Sequence, residues 1–172
     1  MDIDSVRARI RETIWRLLEE KGEARPPLPV RGRIPNFRGA EEAARRLAST
    51  EEWERARVVK VNPDSPQRPV RYLALSQGKM VVMPTPRIRR GFILLDPGTI
   101  PRRLLRRAST IRGAFSLGRL LPGLDDIERL MPRIDLIVEG SVAVDRECNR
   151  LGKGEGYGDL EYALLLLVGK VG

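Results

Sequence analysis

The residues best suited to chemistry stand together late in the chain: Arg150-Leu151-Gly152-Lys153-Gly154-Glu155-Gly156-Tyr157-Gly158-Asp159. Glycines 152, 154, 156 and 158 alternate with other residues. Glycine tolerates positive φ, and its missing side chain lets backbone amides converge on an anion. The run follows a predicted strand and opens a predicted helix, whose first N–H groups are unpaired and carry the positive end of the helix dipole. Arg150 and Lys153 add full charges. Such a turn suits phosphate. The spacing matches neither GxxxxGK[ST] nor GxGxxG, so a plain surface turn is the competing reading; the strand–turn–helix setting favours phosphate.

The remaining composition narrows the chemistry. The 172 residues contain no histidine, which removes Ser-His-Asp catalysis, a histidine base and histidine-bound zinc. The single cysteine, Cys148, excludes an intrachain disulfide and any multi-cysteine metal site. Carboxylates, Lys, Arg, Tyr, backbone amides or a bound ion must do the work. The net charge of +9 rests on 27 arginines against 5 lysines. Arginine grips phosphates and carboxylates in a bidentate fork, so the expected partner is an anion, either nucleic acid or a phosphorylated small molecule.

These groups need elements to hold them. Residues 4–21 place Val6, Ile10, Ile14, Leu17 and Leu18 at helical spacing, with Arg7 and Arg11 one turn apart on another face. Residues 25–38 carry four prolines and four arginines and read as an extended loop. A short helix follows over 39–48, and Thr50 caps a turn around Trp53. Residues 57–61 and 79–83 are strands flanking a helix over 67–77, a βαβ unit that calls for a parallel sheet. Further strands are expected at 92–95 and 135–144, a helix at 101–108, and a mostly buried helix at 159–168. The longest apolar run, Ala163 to Val168, is too short for a bilayer, and no signal peptide is visible, so the expected location is cytoplasmic. The reading is one α/β domain over 1–172.

Four stretches, IRETIW (10–15), RIPNFRGAEEAA (33–44), KVNPDSPQRPVR (60–71) and GSVAVDRECNRLGKGEGYGDLEYA (140–163), make the chain resemble the 5-formyltetrahydrofolate cyclo-ligase (methenyltetrahydrofolate synthetase) family. The likeness is greatest to its methenyltetrahydrofolate synthase domain-containing branch and covers nearly the whole chain. It implies a three-layer α/β/α sandwich with a mostly parallel sheet. It also implies ATP-dependent cyclisation of 5-formyltetrahydrofolate through a phosphorylated formyl group, with ATP and Mg²⁺ as cofactors. Arg150, Gly152, Gly154, Gly156 and Tyr157 match the family's ATP-contacting RxGxGxGY pattern, and Lys153 sits inside it. Arg150 and Lys153 are then the expected catalytic cations, and Tyr157 also lies beside the folate. Asp159 matches a Mg²⁺-holding aspartate. Arg7 and Arg11 stand where the family offers a Lys and an Arg to the nucleotide.

The chain also departs from that pattern. Gly158 replaces the second tyrosine of GYYD. No WGIxEP-type segment is found. The family's substrate-side glutamate falls near Pro66, with Asp64 close by as a substitute. The resemblance further implies a family strand and a Mg²⁺-binding aspartate beyond Gly172.

Other residues stay open between two readings. Phe37, with Arg33 and Asn36, lines a folate pocket or pins its loop to the core. Lys60, Asn62 and Asp64 end a predicted parallel strand, where α/β sheets bind ligands, yet Asn-Pro-Asp is also an ordinary turn. Tyr157 stacks on a ring ligand or packs on the sheet. Lys79 opens a strand and reads as solvent-facing and no more. Nine arginines between 87 and 119, opposed only by Asp96, suit RNA or a folate polyglutamate tail, but a solvated face is favoured. The functional alternatives are a non-catalytic nucleotide- or RNA-binding domain, or an enzyme acting on another pterin.

Overall fold

The computed structural model describes residues 2–172. Helix α1 (Ile3–Glu20) starts where Asp2 accepts a hydrogen bond from the Ser5 amide. A small ladder, β1 (Ala24–Arg25) with β2 (Asn36–Phe37), ties the proline-rich loop, and α2 (Ala40–Leu47) and α3 (Glu51–Arg55) follow. The Thr50 hydroxyl caps α3 through the Trp53 amide, as expected. Then come β3 (Val58–Val61), α4 (Arg68–Ser76), β4 (Met80–Pro84) and β5 (Phe92–Leu95). The chain continues through α5 (Leu105–Ala108), α6 (Ile111–Leu117), β6 (Arg119–Leu121), α7 (Leu124–Leu130) and β7 (Leu136–Val138). It finishes with the hairpin β8 (Ala143–Val144) and β9 (Arg150–Leu151) and helix α8 (Tyr157–Leu167).

The main sheet runs β6-β5-β4-β3-β7. β3 pairs in parallel with β4 and with β7, the βαβ core that the spacing predicts, while β5 and β6 extend one edge as an antiparallel meander. All four residues of β3 are buried, so side chains of alternating direction meet two separate cores. Val59 and Val61 pack with Trp53, Ala74, Leu75 and Met83 under α2 to α6. Val58 packs with Val82, Phe92, Ile127 and Leu165 under α7 and α8. That is the expected three-layer α/β/α arrangement. A third cluster seats Trp15 of α1 on Val30, Ile34 and Val142, with the Trp15 indole donating to the Arg33 carbonyl at 3.0 Å. Among the described residues no helix is long and apolar enough to cross a membrane.

Three local expectations are corrected. The strand expected over 135–144 stops at Val138, because Glu139 turns toward β3. Gly140 follows with no room for a side chain: an added Cβ would lie 2.9 Å from both Gln67 and Ile34. Helix α8 is not mostly buried. Only Glu161 and Leu165 of its residues are buried, and Leu167 is 74% exposed, because α8 lies on the sheet by one narrow stripe. Lys79 does not face solvent. Its ammonium is buried, donates to the Ala56 carbonyl at 2.6 Å and lies over the Trp53 ring. Helix α6, capped by the Thr110 hydroxyl on the Gly113 amide, leads into strand β6, which completes the antiparallel edge.

Candidate functional site

The parallel strands β3, β4 and β7 all point the same way, and the segments after their C-terminal ends enclose a cleft of about 1000 Å³. Open α/β sheets bind ligands at such ends. One wall is the glycine turn between β9 and α8. Gly154 takes φ +106° and Gly156 takes φ +76°, the second as the residue that starts α8. No L side chain adopts these angles comfortably. Arg11 reaches from α1 to donate to the Gly152 carbonyl at 2.7 Å, and its guanidinium lies over Gly154. Arg150 donates to the Gly140 carbonyl at 2.9 Å and to the Ser141 hydroxyl at 3.2 Å, and reaches Asp159 at 3.8 Å. Lys153 meets Glu155 at 3.5 Å. Arg7, held at 3.3 Å by Asp4, also faces the cleft.

The opposite wall is the turn after β3, and a buried arginine fixes it. Arg71 of α4, 2% exposed, donates to the carbonyls of Asn62 (2.5 Å), Asp64 (3.0 Å) and Ser109 (2.8 Å). Burial pushes its pKa down to about 10, so it stays charged at neutral pH. Asp64 is therefore held in place by its own backbone. Burial raises its carboxyl pKa, with Lys153, Arg71 and Lys60 opposing that rise.

Between the walls sits an ion cluster. β3 alternates, so Lys60 points away from Val59 and Val61 toward α8. Its ammonium, 1% exposed, lies 2.5 Å from Glu139 after β7, 2.5 Å from Glu161 of α8 and 3.4 Å from the Asn62 side chain. Burial raises the Glu161 pKa, and Lys60 opposes the shift. The second Glu139 oxygen, Oε2, is buried without a hydrogen-bond partner and lies 3.0 Å from where a Gly158 Cβ would stand.

Of the predicted site residues, Arg7, Arg11, Asn62, Asp64, Arg150, Gly152, Lys153, Gly154, Gly156, Tyr157 and Asp159 all line this one cleft. Phe37 does not. It sits in β2, where pairing with Ala24 holds it half-buried beside the proline loop; its neighbours Arg33 and Ile34 reach the cleft instead. Asn36 is a scaffold group, its amide donating to the Pro26 carbonyl at 2.7 Å. The arginines of 87–119 disperse. Arg106 stacks on Tyr72 and Arg90 on Phe115, while Arg87 enters the cleft. Glu139, Glu161 and Arg71 are not among the predicted residues. The signal for them is a charge placed inside an apolar segment, which identifies a buried partner only once the facing element is known.

The model of the 5-formyltetrahydrofolate cyclo-ligase family matches residues 3–170. Curated proteins called methenyltetrahydrofolate synthase domain-containing protein are similar over 164 residues, at 43% identity in Mus musculus and 40% in Homo sapiens. The matched region is 94% of this chain but 43% and 42% of those proteins, so the chain spans about two-fifths of their length. With the matched segment running from α1 through the glycine turn into α8, the chain belongs to the 5-formyltetrahydrofolate cyclo-ligase family.

Proposed function

We propose that the cleft binds Mg·ATP beside a reduced folate and closes 5-formyltetrahydrofolate to 5,10-methenyltetrahydrofolate. One observation carries the reading: a glycine turn with four flanking cations faces a carboxylate-bearing turn across one cleft, in a chain of this family. Arg7, Arg11, Arg150 and Lys153 hold the phosphates, together with amides of the turn. Tyr157 lies beside the ring ligand, and Asn62 and Asp64 form the substrate side. The γ-phosphoryl group passes from ATP to the formyl oxygen, and ADP leaves. The second folate nitrogen then attacks the formyl carbon. A C–N bond forms, the C–O bond breaks with loss of phosphate, and the nitrogen gives up its proton. Asp64 suits that proton, because burial makes its carboxylate a stronger base than a solvated one. Arg150 and Lys153 stabilise charge on the transferring group, work that needs no histidine.

Asp159 fits magnesium as a single ligand. Its side chain is 91% exposed at the start of α8, and no group of three Asp, Glu, Cys or His side chains among the described residues converges on an ion site. Magnesium commonly takes one or two carboxylates and fills its shell with phosphate oxygens and water. Bound there, it would neutralise phosphate charge.

Calorimetry of Mg·ATP, repeated with 5-formyltetrahydrofolate present, tests the reading alongside an absorbance assay for methenyl product. Synergistic binding and product formation, both lost in Arg150→Ala with Lys153→Ala, are expected. Asp159→Asn should keep its fold and lose at least tenfold in turnover. ATP binding with no folate effect would favour the binding-module alternative, and no ATP binding would refute the proposal.

A further inference from the structure

Glu155 is the one acid within the glycine turn, and it holds two cations at once. Its Oε2 lies 3.5 Å from Lys153, and its Oε1 lies 3.7 Å from Arg87. Arg87 comes from the distant turn between β4 and β5. That turn has an unusual backbone: Arg87 takes φ +56° and Ile88 takes φ +53°. Consecutive left-handed residues, one of them β-branched, persist only where the surroundings over-determine them. Ile88 packs into the core under α7 and α8, and Arg87 is thereby aimed at the glycine turn. Arg11 stands over Gly154 beside them. A carboxylate with one oxygen on each of two cations, next to unpaired amides of an 11-residue helix, has the charge arrangement of a bound phosphate.

We infer that Glu155 is an internal stand-in for a phosphate group, and that the ligand's polyphosphate displaces it and takes over Arg87 and Lys153. This rests on the reading of the cleft as a nucleotide site, and it adds Arg87 to the phosphate-binding cations. It also assigns a preference. A tethered carboxylate competes at a high effective concentration. A lone orthophosphate makes few extra contacts to offset that competition. A di- or triphosphate spans Arg11, Arg87, Arg150 and Lys153 together and outcompetes it. The site therefore selects polyphosphates over single anions.

Calorimetry at fixed, low ionic strength tests this with Mg·ATP, inorganic pyrophosphate and orthophosphate as probes. The proteins are wild type, Glu155→Gln, Arg87→Ala and the double variant. All the changed side chains are partly exposed, so the variants are expected to fold, which a thermal melt checks. Glu155→Gln should bind Mg·ATP about two- to tenfold tighter, the range set by two partly exposed ion pairs. Its gain for orthophosphate should be at least as large. Arg87→Ala should weaken Mg·ATP by about fivefold or more, and within it the gain from Glu155→Gln should shrink by at least half. A purely structural role for the Glu155–Arg87 pair would leave that coupling absent. Equal or weaker Mg·ATP binding by Glu155→Gln overturns the inference, as does unchanged binding by Arg87→Ala. Failure of wild type and Glu155→Gln alike to bind any of the three probes overturns both this inference and the nucleotide reading. Normal cyclisation with no effect of Glu155→Gln overturns this inference alone.

Discussion

Replacing Lys60 with methionine should show how strongly the buried ion cluster ties the sheet to α8. The ammonium lies 2.5 Å from each of two carboxylates and is 1% exposed. A unit charge pair about 4 Å apart is worth about 4 kcal/mol at an effective dielectric of about 20. The desolvation that Lys60→Met relieves offsets part of two such terms. What remains is the cost of breaking a buried pair and stranding its acids, about 3–5 kcal/mol. For a domain of this size that lowers Tm by roughly 6–20 °C. Urea unfolding followed by fluorescence of the buried Trp15 and Trp53 measures it. The pH dependence supplies the sign. Burial already raises the Glu161 pKa above the ordinary value of 4.5, against the pull of Lys60. Removing Lys60 raises the folded-state value further. A group whose folded pKa is raised contributes stability that is fully present below the unfolded pKa and is lost as pH rises through the folded pKa. The deficit of Lys60→Met should thus be larger at neutral pH and shrink as pH falls toward 4.5. Adding Glu139→Gln and Glu161→Gln should recover most of the loss. A neutral-pH deficit under about 1 kcal/mol, or one that ignores pH, would show that the cluster does not tie α8 to the sheet.

Two further substitutions follow from packing. Gly158 lies in the first turn of α8, where alanine gains up to about 1 kcal/mol of helix propensity, but an added Cβ would lie 3.0 Å from the Glu139 carboxylate; Gly158→Ala should therefore stabilise by clearly less than that in the wild-type background and by more in a Glu139→Ala background, as measured by thermal melts. Arg71→Met leaves three backbone carbonyls without their donor, so about 2–4 kcal/mol should be lost in urea unfolding, and Mg·ATP binding should show a smaller folate effect because Asp64 is no longer held.

The legible parts of this molecule were those with a local cause. Val58 to Val61, Met80 to Pro84 and the intervening Arg68–Ser76 helix follow from β-branched runs, helical spacing and the stop at Gly78. The glycine turn announces itself because Gly154 and Gly156 take positive φ, which favours glycine. What escaped depends on partners distant in sequence. Glu161 reads as one polar residue on an apolar helix until β3 brings Lys60 beneath it, 101 residues away. Lys79 reads as a solvated strand end until the Ala56 carbonyl and Trp53 close over it. Phe37 reads as a ligand platform or, with a slight preference, as a loop anchor, and the pairing of Asn36–Phe37 with Ala24–Arg25 decides its place. Arg87 is hidden in a run of arginines, and its distinction lies in a backbone angle that composition does not encode.

The bond from Arg11 to the Gly152 carbonyl joins residues 141 positions apart. All five strands of the main sheet lie before residue 139, yet the glycine-turn wall of the cleft needs both the first helix and the turn beyond residue 150. During synthesis the sheet can form while the site is still missing one side. The closing contact is among the most non-local in the chain, the kind that forms slowly because a long loop must be ordered before any bond rewards it. Completion of the cleft therefore reports on completion of folding, and a nascent chain that already has its sheet still lacks one side of the cleft until α8 arrives.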